Sequence, residues 1–136
     1  MYLLDTDICI YLLNGSHPAL AGRLAAIPAS KIGISAVTAA ELRFGALNSE
    51  RAKANAERVE RFVRPLRLVP FDGEASRHFA QIKSDLKQIG RPIGTMDMLI
   101  AACALSVNAA LVTNNSREFD RIEVLRVENW VRGDRR

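Results

Sequence analysis

A chain of 136 residues with 49% apolar and 25% charged content suffices for one globular domain with a core of its own. It has no apolar run of about 18 residues, which excludes a membrane-spanning helix. No basic stretch leads into an apolar one at the start, so no secretory leader is expected and a cytoplasmic location is. Two cysteines and two histidines argue against a disulfide scaffold, a zinc site and a Ser–His nucleophilic centre, while the net charge of +4 weakly favours a polyanionic partner.

In chain order, Tyr2-Leu3-Leu4 is a short apolar run suited to a strand buried on both faces. Asp5 follows where strand becomes loop, and Asp7 suits the N-cap of a helix over Ile8–Leu13, closed by Asn14-Gly15. Pro18 opens a second helix to Ile27. Lys31–Ser35 is the second strand, and Ser35 caps a helix Val37–Leu47 with the apolar stripe Val37, Ala40, Phe44 and Leu47. Ser49 caps a helix Glu50–Val63, and Leu66–Val69 is the third strand. Asp72 caps Gly73–Ile89, where Ala75, Phe79, Ile82, Leu86 and Ile89 keep helical spacing. Thr95 caps Met96–Val107, Ala109–Thr113 is the fourth strand, and a turn at Arg117–Phe119 precedes a fifth, Val124–Val127. Cys9 and Cys103 lie in apolar helical settings and read as small core residues. Alternating strands and helices predict an α/β fold with a mostly parallel sheet of about five strands, covered on both faces. One domain is expected over residues 1–131, with a basic tail at 132–136.

Four acids interrupt apolar surroundings. Asp5 ends the first strand, where open parallel sheets gather ligands. Asp97 is the only charge in the otherwise apolar Met96–Leu105 and falls in its first turn. It serves either the helix dipole or a ligand. Glu41 sits about 40° past Val37 at the edge of its helix's apolar stripe. Its alternatives are a salt bridge to a distant base or a functional site. Glu118, with Asp120 nearby, follows the fourth strand in what is otherwise an ordinary surface turn. A doubly wound sheet can bring these positions to one edge, where gathered carboxylates repel unless a hard cation joins them. Oxygen donors without His or Cys point to Mg²⁺ or Mn²⁺.

Four blocks carry a resemblance: Leu3-Leu4-Asp5-Thr6-Asp7-Ile8-Cys9, Ile34 to Ala46 around Glu41, Arg91 to Ala102 around Asp97, and Val112 to Phe119. In this order and spacing they resemble the PIN-domain ribonucleases, and more closely the VapC toxins of bacterial toxin–antitoxin pairs, over essentially the whole chain. The resemblance implies a PIN-like α/β/α sandwich and a Mg²⁺-dependent endoribonuclease, with Mn²⁺ as a possible substitute, cutting structured RNA such as tRNA. It further implies inhibition by a VapB-type antitoxin, and a homodimer or a toxin–antitoxin hetero-oligomer. Asp5 and Asp97 correspond to metal ligands, with Glu41 and Glu118 as third and fourth catalytic acids. There are two departures: Asp7 stands where the family often has Asn, and Asn115 where some members carry an acid. The second moves the fourth role to Glu118, with Asp120 as substitute. Thr6, Thr113 and Asn114 serve as water-orienting groups or as strand-end caps. Arg51, Lys53, Arg58, Arg61, Arg64 and Arg67 form an RNA rail or simply a solvated helix face. An aspartyl-phosphate hydrolase or a receiver domain would need a lysine block that this chain lacks.

Overall fold

The computed structural model describes residues 1–131, so the basic tail at 132–136 lies outside the described residues. Five strands, β1 (Tyr2–Leu4), β2 (Ile32–Ser35), β3 (Arg67–Val69), β4 (Ala110–Val112) and β5 (Val127–Glu128), form an all-parallel sheet in the order β3-β2-β1-β4-β5. Side chains alternate across a strand, so neighbours in β1 and β4 serve opposite layers. Leu3 and Leu111 face one layer with α5 (Gly73–Gln88), α6 (Thr95–Ser106) and α7 (Ser116–Phe119). Leu4 and Val112 face the other, with α1 (Thr6–Asn14), α2 (Pro18–Ala25), α3 (Ala36–Leu47) and α4 (Ala52–Val63). Burial on both sides is why the central strands are continuous apolar runs. Gly33 in β2 has no room for a side chain, since a Cβ there would lie 3.0 Å from the Arg67 carbonyl of β3. Cys9 and Cys103 are buried free thiols, as their settings predict.

The chain steps from β1 through β2 to β3 in one direction, then returns to place β4 on the other side of β1. That reversal opens a crevice beyond the carboxyl ends of β1 and β4, the usual ligand position in such sheets.

Several local expectations change. Asp5, not Asp7, caps α1: its Oδ1 accepts from the Ile8 amide at 2.9 Å, and Asp7 is exposed in the first turn. Gly94 takes the cap position of α6 without a side-chain bond, which makes Thr95 its first residue. Ser49 closes α3 instead of opening α4, donating to the Ala46 carbonyl at 2.6 Å. Ser35 and Asp72 do cap, accepting from Thr38 and Ala75. The fifth strand lies later than expected. Within 119–125, turn hydrogen bonds from Ile122 to Phe119 and from Leu125 to Ile122 bury those apolar side chains and leave Val124 exposed.

α3 is the largest correction. Its sheet-facing residues are Thr38, Ala39, Leu42 and Ala46, whereas Phe44 and Leu47, expected in the core, are 67% and 70% exposed. The helix is apolar nearly all round, so periodicity could not choose its inner face.

Candidate active site at the carboxyl edge of the sheet

Asp5 occupies the crevice between β1 and β4. Its amide donates to the Val112 carbonyl at 3.1 Å, and its carboxylate receives the Ile8 amide and the Thr113 hydroxyl. Only 5% exposed, it is pushed up to about 6. Burial is the main cause; the Thr113 and Ile8 bonds oppose it, and the charges of Asp7 and Asp97 add to it.

Asp97, half-buried in the first turn of α6, is raised as well, by burial and then by Glu118, Asp7 and Glu41. Glu41 reaches the site from α3. Thr6 Oγ1 donates to its Oε1 at 2.5 Å, and the Thr38 hydroxyl lies 3.1 Å from Thr6 Oγ1. Since the single Thr6 proton goes to Glu41, Thr38 must supply the second bond. The salt-bridge alternative for Glu41 is not realised. Arg43 turns away to a bidentate pair with Glu60 at 2.9 and 3.1 Å, and among the described residues no base pairs with Glu41.

The structure therefore places Asp5, Glu41, Asp97 and Glu118 in one electrostatic neighbourhood, and it adds Asp7, which sequence analysis spent on a cap. Asp120 is separate. It lines a groove of about 590 Å³ with α5 residues such as Gln81 and Asp85, and Glu118 is the acid of that turn that acts on Asp97. That groove contains none of the four predicted acids. Thr113 emerges as the fully buried partner of Asp5; its place beside β1 in the sheet was the signal. Thr38 went unnoticed because it lay inside a helix.

The donor set is oxygen throughout. Among the described residues, no three acidic, histidine or cysteine side chains already close on one point. On α4, Arg58 is held by the Leu13 carbonyl and by Asn55, while Arg51, Lys53, Arg61 and Arg64 are exposed.

A parallel five-stranded sheet with an acidic crevice at its switch point is the architecture of a PIN domain, and the PIN domain family model matches residues 2–125; the chain belongs to that family. Within it, the similarity runs to the VapC ribonucleases. The chain is 35% identical to Ribonuclease VapC2 of Rickettsia felis, covering 96% of this chain and 98% of that protein. It is 38% identical to the tRNA(fMet)-specific endonuclease VapC of Shigella flexneri, over 95% and 97% of the two chains. The fold superposes with a TM-score of 0.90 on a chain of the DNA-bound VapBC crystal structure from Salmonella typhimurium, at 36% identity over 95% of this chain and 97% of that one.

Proposed function

We propose that this protein is the toxin of a type II toxin–antitoxin pair, a Mg²⁺-dependent endoribonuclease that cuts structured RNA such as tRNA in the cytoplasm. The observation that carries this reading is the pair of raised acids at the switch point of the sheet, Asp5 under the charges of Asp7 and Asp97, and Asp97 under those of Glu118, Asp7 and Glu41. Carboxylates whose charge is disfavoured by burial and by neighbouring acids invite a cation, and the all-oxygen donor set fits Mg²⁺, with Mn²⁺ as substitute. Asp5 and Asp97 would hold it.

A bound divalent ion supplies neutralisation of charge at the scissile phosphate and acidification of water. The chain's own groups do the rest. The Ile8 amide and the Thr113 hydroxyl fix the Asp5 carboxylate, while the Thr38–Thr6 pair holds Glu41. Glu41 and Glu118 orient the attacking water, one of them takes its proton, and the departing 3′-oxygen is protonated from solvent. In-line attack by water leaves a 5′-phosphate on one product and does not use the ribose 2′-hydroxyl.

The full length shared with VapC proteins, and the solved VapBC complexes among its structural relatives, support a VapB-type antitoxin as the inhibitory partner and a homodimer or toxin–antitoxin hetero-oligomer as the assembly. Incubation of the purified protein with total bacterial tRNA tests the activity. Cleavage should stop with EDTA, return with Mg²⁺ or Mn²⁺, and survive 2′-deoxy substitution at the cut position. A block by the 2′-deoxy nucleotide would rule out hydrolysis by water.

A further inference from the structure

Tyr11 in the second turn of α1 and His17 in the stretch leading to α2 form an aromatic pair that the chemistry above does not use. Gly15, in the left-handed region at φ 66°, ends α1; its amide and that of Ser16 return to the carbonyls of Leu12 and Tyr11, each at 3.3 Å. This reversal lays the His17 ring on the Tyr11 ring, with centroids 4.1 Å apart and planes 29° apart. His17 sits at the N-cap of α2, yet its side chain makes no capping bond. Its Nδ1 instead meets the Ser16 hydroxyl at 2.9 Å. Both residues are half-buried, and Tyr11 also packs against the core cluster that holds Ile8 and Leu20.

The Tyr11 hydroxyl also meets the segment that follows Thr113. The Tyr11 hydroxyl accepts from Asn114 Nδ2 at 3.4 Å, and the amide of Asn114 is oriented by Asn129 Nδ2 at 3.3 Å. Asn114 directly follows Thr113, the residue whose hydroxyl bonds Asp5. Among the other aromatics, Phe119 is fully buried, Tyr2 packs on Trp130 and Phe71 on Phe79, while Phe44 is exposed on α3.

We propose that the Tyr11–His17 stack is a platform for one unpaired nucleobase flanking the scissile phosphate, which makes Tyr11 a substrate-binding residue. The proposal rests on the ribonuclease reading and narrows its substrate to RNA in which that nucleotide can leave its helix. Tyr and His faces stack on splayed bases of any identity, whereas a base held in a duplex is not available to them. The platform therefore selects loops and bulges over paired stems, with little preference among the four bases.

The test uses a stem-loop RNA built around a cut site that the wild-type protein makes in total bacterial tRNA, with single abasic nucleotides scanned across it. Tyr11→Leu should raise KM about tenfold while kcat stays within about twofold. One abasic position should raise the wild-type KM by a similar factor and add nothing further in the variant. His17→Leu should shift KM in the same direction, and it provides the readout if Tyr11→Leu does not fold. An unchanged KM in both variants, or variant and abasic effects that multiply, would overturn the platform. So would weakened inhibition by a VapB-type antitoxin with an unaltered RNA KM, which would assign the rings to a protein partner. A wild-type protein that cuts no RNA would instead remove the ribonuclease reading itself, and is recognised before any variant is compared.

Discussion

Asp5 carries two roles that conflict electrostatically. As the cap of α1 its carboxylate is welcome, yet burial and the neighbouring acids hold its pKa near 6 against an ordinary 3.8. The folded state therefore binds more protons than the unfolded chain between about pH 4 and 6. The metal-free protein should be more stable below this window, lose stability as pH rises through it, and be flat above in this contribution. Two pKa units correspond to about 3 kcal/mol. Asn caps as well as Asp, so Asp5→Asn should keep the helix, remove this pH dependence, and stabilise the metal-free protein at pH 7.5. Urea unfolding in EDTA at pH 4.5 and 7.5 measures both; a wild-type protein that gains stability over the variant on going to the higher pH contradicts the sign. Asp97 has no companion cap, and its pKa is raised by burial and by Glu118, Asp7 and Glu41. Asp97→Asn should melt above wild type in EDTA and gain less on addition of Mg²⁺. A lower melting point with an unaltered Mg²⁺ response would return Asp97 to the role of a helix-dipole acid.

At the scale of single elements, α3 has two apolar faces and the monomer uses one. The small residues Thr38, Ala39 and Ala46 let it approach the sheet closely and bring Glu41 to the crevice. Its outer side carries Ala40, Phe44 and Leu47, exposed apolar side chains that a second copy related by a two-fold axis can cover, while Val37 packs against the core. Replacing both Phe44 and Leu47 with Ser should yield a monomer by sedimentation velocity. Because these side chains are already largely exposed, monomer stability should change by only about 0.5 kcal/mol each. A dimer that persists in the double variant places the interface elsewhere. Periodicity could not separate these faces because both satisfy it. Where one face alone is apolar, as in α5, spacing and burial agree at Ala75, Ile82 and Leu86, with Phe79 half-buried, and part only at Ile89, which lies past the helix end and is 58% exposed.

For the whole molecule, the decisive feature is the strand order. Asp5 and Asp97 are 92 positions apart in the chain, yet the charge of Asp97 raises Asp5 because β4 returns beside β1. If their convergence is what makes the chain a toxin, its expression alone should arrest bacterial growth. Asp5→Asn or Asp97→Asn should each relieve the arrest with soluble protein retained on immunoblots. Undiminished arrest by both variants would detach toxicity from this site.

By itself, the sequence determined the alternation of strands and helices, the central apolar strands, the caps at Ser35 and Asp72, and the identity of the acids that stand out from apolar surroundings. Each of these depends on residues within a turn or two of one another, where propensity and periodicity operate. Only the tertiary structure decided that Asp5 rather than Asp7 caps α1, because strand β1 ends on the Val112 carbonyl and delivers Asp5 to that position. It alone decided which face of α3 is inside, that Thr113 bonds Asp5, and that Glu118 rather than Asp120 acts on Asp97. These outcomes depend on distances between groups far apart in the chain, and side-chain chemistry read along one dimension does not contain them.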